Sequence, residues 1–336
     1  MWGFLRLRRE SGQALILAAA AMVVVIGMAA MAIDVGMFLQ EKRDLQNAAD
    51  AAALAGAQDL PTSPANAVAN ATTWAGENGI GAGELEGVTV STTYVASDTI
   101  TVQVKRDVPW LFARVLGRGS DTVRADATAR VGSPSVAFGV MPWSLLESAK
   151  AGATYGVEVT LKYSSQEGVS GDYGLLDLGG GTGCSAYRDN LTNGAEVTLH
   201  SQIPTEPGNC VGPTEQGLQD RLNATSPACD TFQETFQLVD GVWRFTKDCN
   251  PWKPGGAGSK RVVLVPVVSD PDQGKAYVTV NSFALVYLTN AATDNICPTG
   301  KKCDVKAMFV QAHGDIGSIM GALDPNSDIR FARLVE

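Results

Sequence analysis

Histidine is nearly absent from this 336-residue sequence, which has only His200 and His313. Neither falls in an HExxH pattern, and no GxSxG or P-loop string occurs. The common signatures of metalloproteases, serine hydrolases and phosphate-cradling loops are therefore missing. Both histidines read as surface or satisfied polar residues. Cysteine is lacking before Cys184, and none of the six cysteines forms a CxxC pair, so the close spacing of a zinc site is not met. Charged residues make up only 18% of the chain and the net charge is −9, with no basic run after Arg6, Arg8 and Arg9. Nucleic acid is excluded as a partner on that balance, because phosphate binding needs clustered Lys and Arg. No catalytic residue, cofactor or metal is expected, and the chain reads as a non-enzyme.

Two local absences are more telling. No charged residue lies between Glu10 and Asp34, and no proline precedes Pro61. The charge-free stretch includes ALILAAAAMVVVIGMAAMAI (Ala14–Ile33). A run of about 20 apolar residues matches a hydrocarbon core about 30 Å thick. The basic residues ahead of it and the mixed charges after it (Asp34, Glu41, Lys42, Arg43, Asp44) place the N-terminus in the cytoplasm and the bulk of the chain outside. The expected localisation is a single-pass protein of the cell membrane. A rival reading is a cleaved secretory signal ending at Ala30-Met31-Ala32, for which the apolar run is long.

The proline-free stretch continues the helix. Asp34–Leu60 is rich in Ala, Leu, Gln and Lys, which favour helix. Val35, Phe38, Leu39, Leu45, Ala49 and Ala52 form a narrow apolar stripe, with Gln46, Asn47 and Asp50 on a polar side. Pro61 and Pro64 end it. The result is one helix of about 45 residues, about 70 Å long at 1.5 Å per residue. The small residues of Ala48–Ala57 let another helix or a sheet approach closely, whether that neighbour is a partner or the chain's own globular part.

Gly12-Gln13-Ala14, the apolar run, Asp34-Val35-Gly36 and the string from Arg43 through Leu45-Gln46 to Ala48-Ala49-Asp50-Ala51-Ala52-Ala53-Leu54-Ala55-Gly56-Ala57 resemble the N-terminal signature of TadE/TadG-like proteins of Tad (Flp) pilus assembly. The resemblance covers about residues 8–60. It implies a pilin-like or accessory membrane protein that works with the lipid bilayer, with other pilus-assembly or pilin-like membrane proteins, and with further copies of itself. The positions it offers for helix–partner contact are Ala32, Gly36, Leu45, Gln46, Ala49 and Ala52. Gly12 and Gln13 would flank a leader cleavage, but the fifth position after such a cut is Leu17, where pilin-type precursors are similar in having Glu.

The expected fold class is α+β: the long N-terminal transmembrane and amphipathic helix, a small α/β module, then a mainly antiparallel β domain with disulfides. The divisions are residues 1–12 (basic leader), 13–34 (membrane helix), 35–60 (helix extension), 61–132 (α/β module) and 133–336 (β-rich, cysteine-containing). The module reads as a helix over 65–78, strands over 88–95 and 99–105, a helix over 109–117 and a strand over 121–131. Beyond Ser133-Pro134-Ser135, strands are expected over 137–141, 156–163, 174–178, 195–199, 232–238, 261–268 and 276–288, and a helix over 213–222. Gly179–Gly183 reads as a turn without a following helix. Outside the cytoplasm, Cys184, Cys210, Cys229, Cys249, Cys297 and Cys303 are disulfide candidates. Fifteen connectivities are open, and Cys297–Cys303 is the first choice because it closes a short loop. Asp270–Gly274 and Asp324–Asp328 carry alternating oxygen ligands but lack a full calcium loop, so ordinary turns are expected. Trp143, Trp243 and Trp252 read as core or loop anchors. Two other functional readings remain: an anchored adhesin or glycan-binding ectodomain, and an extracytoplasmic hydrolase for which no nucleophile–base set is visible.

Overall fold

A computed structural model of the chain describes residues 11–163, 174–181, 183–206, 210–239, 242–246, 248–253, 258–269, 277–298, 303–313, 318–324 and 327–335. Helix α1 (Ser11–Ala57) runs without a break, as its proline-free, alanine-rich sequence favours. A turn leads to α2 (Pro64–Glu77), which starts with proline in its first turn, where the missing N–H has no intrahelical partner to lose.

A meander follows: β1 (Leu85–Ser91), β2 (Thr99–Pro109) and β3 (Ser120–Gly132), all antiparallel. Ile100, Val102 and Val104 of β2 and Ala125, Ala127 and Ala129 of β3 alternate with half-buried or exposed residues and turn one face toward the helices. That face packs on Leu45, Ala49 and Ala52 of α1 and on Ala67, Ala71 and Ala75 of α2. Residues 109–117 are not the helix expected. Pro109 closes β2 opposite Ser120, and only Ala113–Leu116 makes a 3₁₀ turn. Pairing along the whole of β2 and β3 outweighs the local proline-first, glycine-last signal, although Gly117 still takes the left-handed conformation (φ 88°) that signal foresees.

The remaining long strands are β4 (Pro134–Val140), β5 (Glu158–Tyr163), β6 (Val262–Val268), β7 (Tyr277–Leu288), β8 (Cys303–Phe309) and β9 (Ile329–Val335). The second sheet has the order Ile319–Met320, β4, β6, β7, β8, β5. Its strands are mostly antiparallel, with a parallel contact between β4 and β6. Every residue of β6, VVLVPVV, is buried, the pattern of a strand covered on both faces. β9 does not join this sheet. It returns to pair antiparallel with β3, from Phe331 opposite Gly132 to Val335 opposite Thr128. Strand pairing therefore crosses the Ser133-Pro134-Ser135 segment, and β9 joins the sheet that begins at Leu85 to Ala312–His313, Val242–Phe245 and Phe236–Val239 beyond it.

The fold is α+β: one long apolar N-terminal helix, a few further helices, mostly antiparallel sheets and three disulfides. The pairs are Cys184–Cys210, Cys229–Cys249 and Cys297–Cys303, the last being the short-loop choice. The first two brace helix α3 (Gly183–Asn193), helix α4 (Val211–Asn223) and the loops after them. Helix α3 begins at Gly183, at the end of the glycine-rich stretch, contrary to the expectation of a bare turn. Residues 232–235 are helical and the strand begins at Phe236, where a strand from 232 was expected. A capping box between Thr231 and Glu234 explains that start. The region 174–178 makes only isolated bridges. The Asp270–Gly274 loop lies outside the described residues.

Candidate membrane and partner interface

Helix α1 has two environments. From Ala14 to Ile33 its side chains are exposed apart from the half-covered Ala30, among them Leu15, Leu17, Val23, Ile26 and Met31. In water such a surface is costly, whereas in a bilayer it is matched. Asp34 is the first charged residue after it and is only 3% exposed. Its carboxylate accepts backbone N–H bonds from Leu111 (3.0 Å), Phe112 (3.1 Å) and Ala113 (2.8 Å). Three donors compensate for the burial of this charge and tie the 110–118 loop to the helix. One turn on, Phe38 stacks on Trp110 with ring centroids 4.2 Å apart.

Below this clamp lies an ionic hub. Arg106 of β2 reaches Glu41 of α1 (Nη1–Oε2 3.0 Å), Glu84 (Nε–Oε1 2.6 Å, Nη2–Oε2 2.8 Å) and the Gly79 carbonyl (2.7 Å). The Arg106 guanidinium, with the Gly81 N–H, holds the Glu84 carboxyl at about 2, well under its ordinary value. The two carboxylates in turn push Arg106 further up.

From Leu45 onward the helix is the spine of the globular part. Leu45, Ala49 and Ala52 are fully buried against the sheet and α2. Gln46 donates to the Asp126 carbonyl of β3 (2.9 Å) and to Asp50 (2.8 Å). At Gly56 a Cβ would lie 2.7 Å from the Ala67 carbonyl oxygen and 2.7 Å from Ile100, so only glycine allows α1 and α2 this close. These four candidate contacts, Leu45, Gln46, Ala49 and Ala52, pack against or bond to the chain's own sheet and second helix. Their small size was legible in the sequence; which neighbour it serves was not, since an amphipathic stripe is the same for either. Ala32 and Gly36 are different. Both are exposed, and a Cβ at Gly36 would meet nothing within 4 Å. Gly12 and Gln13 lie in the first helical turn, and their side chains are outside the described residues.

The C-terminal part holds the other notable constellation. Asp328 is buried, with Lys150 Nζ 3.1 Å away and the Tyr155 hydroxyl donating to it at 2.7 Å. These residues line a cavity of about 480 Å³. Burial pushes the Asp328 carboxyl up, against the pull of Lys150. No sequence signal joined residues 150, 155 and 328, which come together only through the sheet. Of the tryptophans, Trp143 is in the core and donates to the Tyr187 hydroxyl (2.9 Å), Trp243 packs edge-on against Phe232, and Trp252 donates to the Phe138 carbonyl (2.9 Å). Among the described residues no group of three or more His, Cys, Asp or Glu side chains is placed to hold a metal ion.

The class defined by this geometry is a single long apolar helix carrying a disulfide-bonded α+β head on its C-terminal half. Residues 12–59 match the model of the Tad family, described as "Putative Flp pilus-assembly TadE/G-like". No curated protein and no solved structure matches the chain. The family match supports a pilus-related role and interaction with other pilus components. The N-terminal helix is long and apolar enough to anchor in a membrane.

Proposed function

We propose that this chain is a non-enzymatic, single-pass membrane protein of Flp/Tad-type pilus assembly, pilin-like or accessory, that presents its head on the extracytoplasmic side. The observation carrying this reading is the division of α1: the family-matched segment ends in the head's core, while Ala14–Ile33 has almost no protein neighbours. In lipid, helices associate through close packing of small residues, and Ala32 and Gly36 are the exposed small pair at the end of the apolar run. Self-association would use the same face. The head's disulfides fit an oxidising compartment.

Two measurements test this. Ala32→Leu and Gly36→Leu should reduce co-purification with other pilus-assembly membrane proteins several-fold without changing head stability; unchanged recovery would count against the partner role. The mature N-terminus, read by intact mass, separates the forms. A start at Gln13 makes the chain a processed, fibre-type subunit. A start near Met1 makes it a permanent anchor with an accessory role. A start at Ile33 would overturn the membrane reading altogether.

A further inference from the structure

We infer that the Trp110–Arg118 loop is a second membrane contact, seated in the phospholipid leaflet from which α1 emerges. The inference rests on the reading that α1 spans a bilayer. The loop is held against the end of the apolar run by Asp34 and by the Phe38–Trp110 stack, so its depth is fixed relative to the helix. Between them lies a groove of about 730 Å³, with Ile26, Ala30 and Met31 on the helix side and Phe112, Val115 and Arg118 on the loop side. Ile26 is eight residues before Asp34, which is about 12 Å along a helix at 1.5 Å per residue. If Ala14–Ile33 fills the hydrocarbon core, the groove extends into the depth occupied by acyl chains.

The loop's own chemistry suits that place. Leu111 is 56% exposed, Phe112 42% and Val115 88%, an apolar tip that no part of the head covers. Arg114 and Arg118 are the only charged residues from Trp110 to Gly119, and both are exposed. Arg118 also pairs with Asp121 at 3.1 Å. Apolar side chains entering the leaflet, guanidinium groups at phosphate level and a tryptophan beside them form the pattern of an interfacial anchor. An acyl chain fills the groove, and the loop holds the head at one height and tilt above the lipid surface.

The test uses the full-length protein in vesicles of phosphatidylcholine and phosphatidylglycerol. All six native cysteines are paired, so single introduced thiols can be labelled selectively with a polarity-sensitive fluorophore. Three sites suffice: Val115→Cys in the loop, Met22→Cys inside the apolar run, and Tyr94→Cys in the exposed turn at the far end of β2. Quenching by lipids brominated near the headgroup end of the chain should be at least threefold stronger at position 115 than at 94, with 115 shielded from aqueous iodide. If position 22 is quenched by bromolipid while 115 responds to iodide as 94 does, the loop contact is overturned and the anchor stands. If position 22 escapes quenching by lipids brominated near the chain terminus as well, the anchor reading fails and takes this inference with it. Shielding of 115 that arises only in native membranes containing other pilus components would assign the groove to a protein helix and overturn the lipid assignment.

Discussion

The two halves of α1 are alike in secondary structure and rich in alanine, yet their surroundings differ. Ala14–Ile33 carries large apolar side chains with little protein around them, and Gly27 has open space where a side chain would be. Leu45–Ala57 carries mostly small side chains, and its Gly56 has no space at all. Lipid chains adapt to any apolar surface, so on the proposed membrane reading bulk is tolerated in the first half. A folded sheet and a second helix do not adapt, so size is fixed in the second. On the proposed membrane reading, the unbroken helix joins the bilayer to the core of the head without a hinge.

The largest expected effect contrasts the two glycines. Gly56→Leu should destabilise the head by about 3 kcal/mol or more, since its neighbour is backbone and cannot yield. Gly27→Leu should leave the head unchanged. Thermal unfolding in mild detergent reads both, and equal effects would erase the contrast. A charge in the first half tests the lipid side: Ile26→Lys should oppose insertion by about 3 kcal/mol, seen as loss of carbonate-resistant membrane protein. Asn47→Lys, on the exposed face of the second half, should change nothing.

Asp34 sits at the junction, and Asp34→Ala should cost about 2 kcal/mol by orphaning backbone donors around Phe112. Faster amide hydrogen exchange confined to the 110–118 loop would show it, whereas unchanged exchange there would mean the clamp is idle. The smallest effect is electrostatic. Glu84 has its folded pKa depressed to about 2 from 4.5. Its contribution is therefore complete above about pH 4.5 and is lost as pH falls toward 2. Allowing for partial solvent screening, about 1 kcal/mol is expected. Glu84→Gln should lower the melting temperature at pH 6 but merge with the wild type near pH 2.

The apolar run, the helix extension and the short-loop disulfide were legible because each is a local pattern: absence of charge, absence of proline, and two cysteines six residues apart. The stripe along α1 was legible only in part, since Val35 and Leu39 prove exposed while the polar Asp34 is buried. A buried aspartate needs the distant N–H groups of Leu111–Ala113, and nothing near residue 34 announces them. The same holds for β9, whose pairing with β3 spans most of the chain, and for Arg106, whose carboxylate partners lie on α1 and on the turn before β1.

The central claim is that one unbroken helix passes from lipid into the head's core. Spin labels placed singly over positions 16 to 47 of the reconstituted full-length protein, with oxygen and nickel-chelate accessibility measured at each, test it most directly. High oxygen and low nickel accessibility should hold on every face through Ile33. Beyond that, a 3.6-residue oscillation should set in, with minima at 34, 38, 41 and 45 and nickel-accessible maxima at 40, 43 and 47. Nickel accessibility before residue 33, or loss of the oscillation after it, would contradict the account.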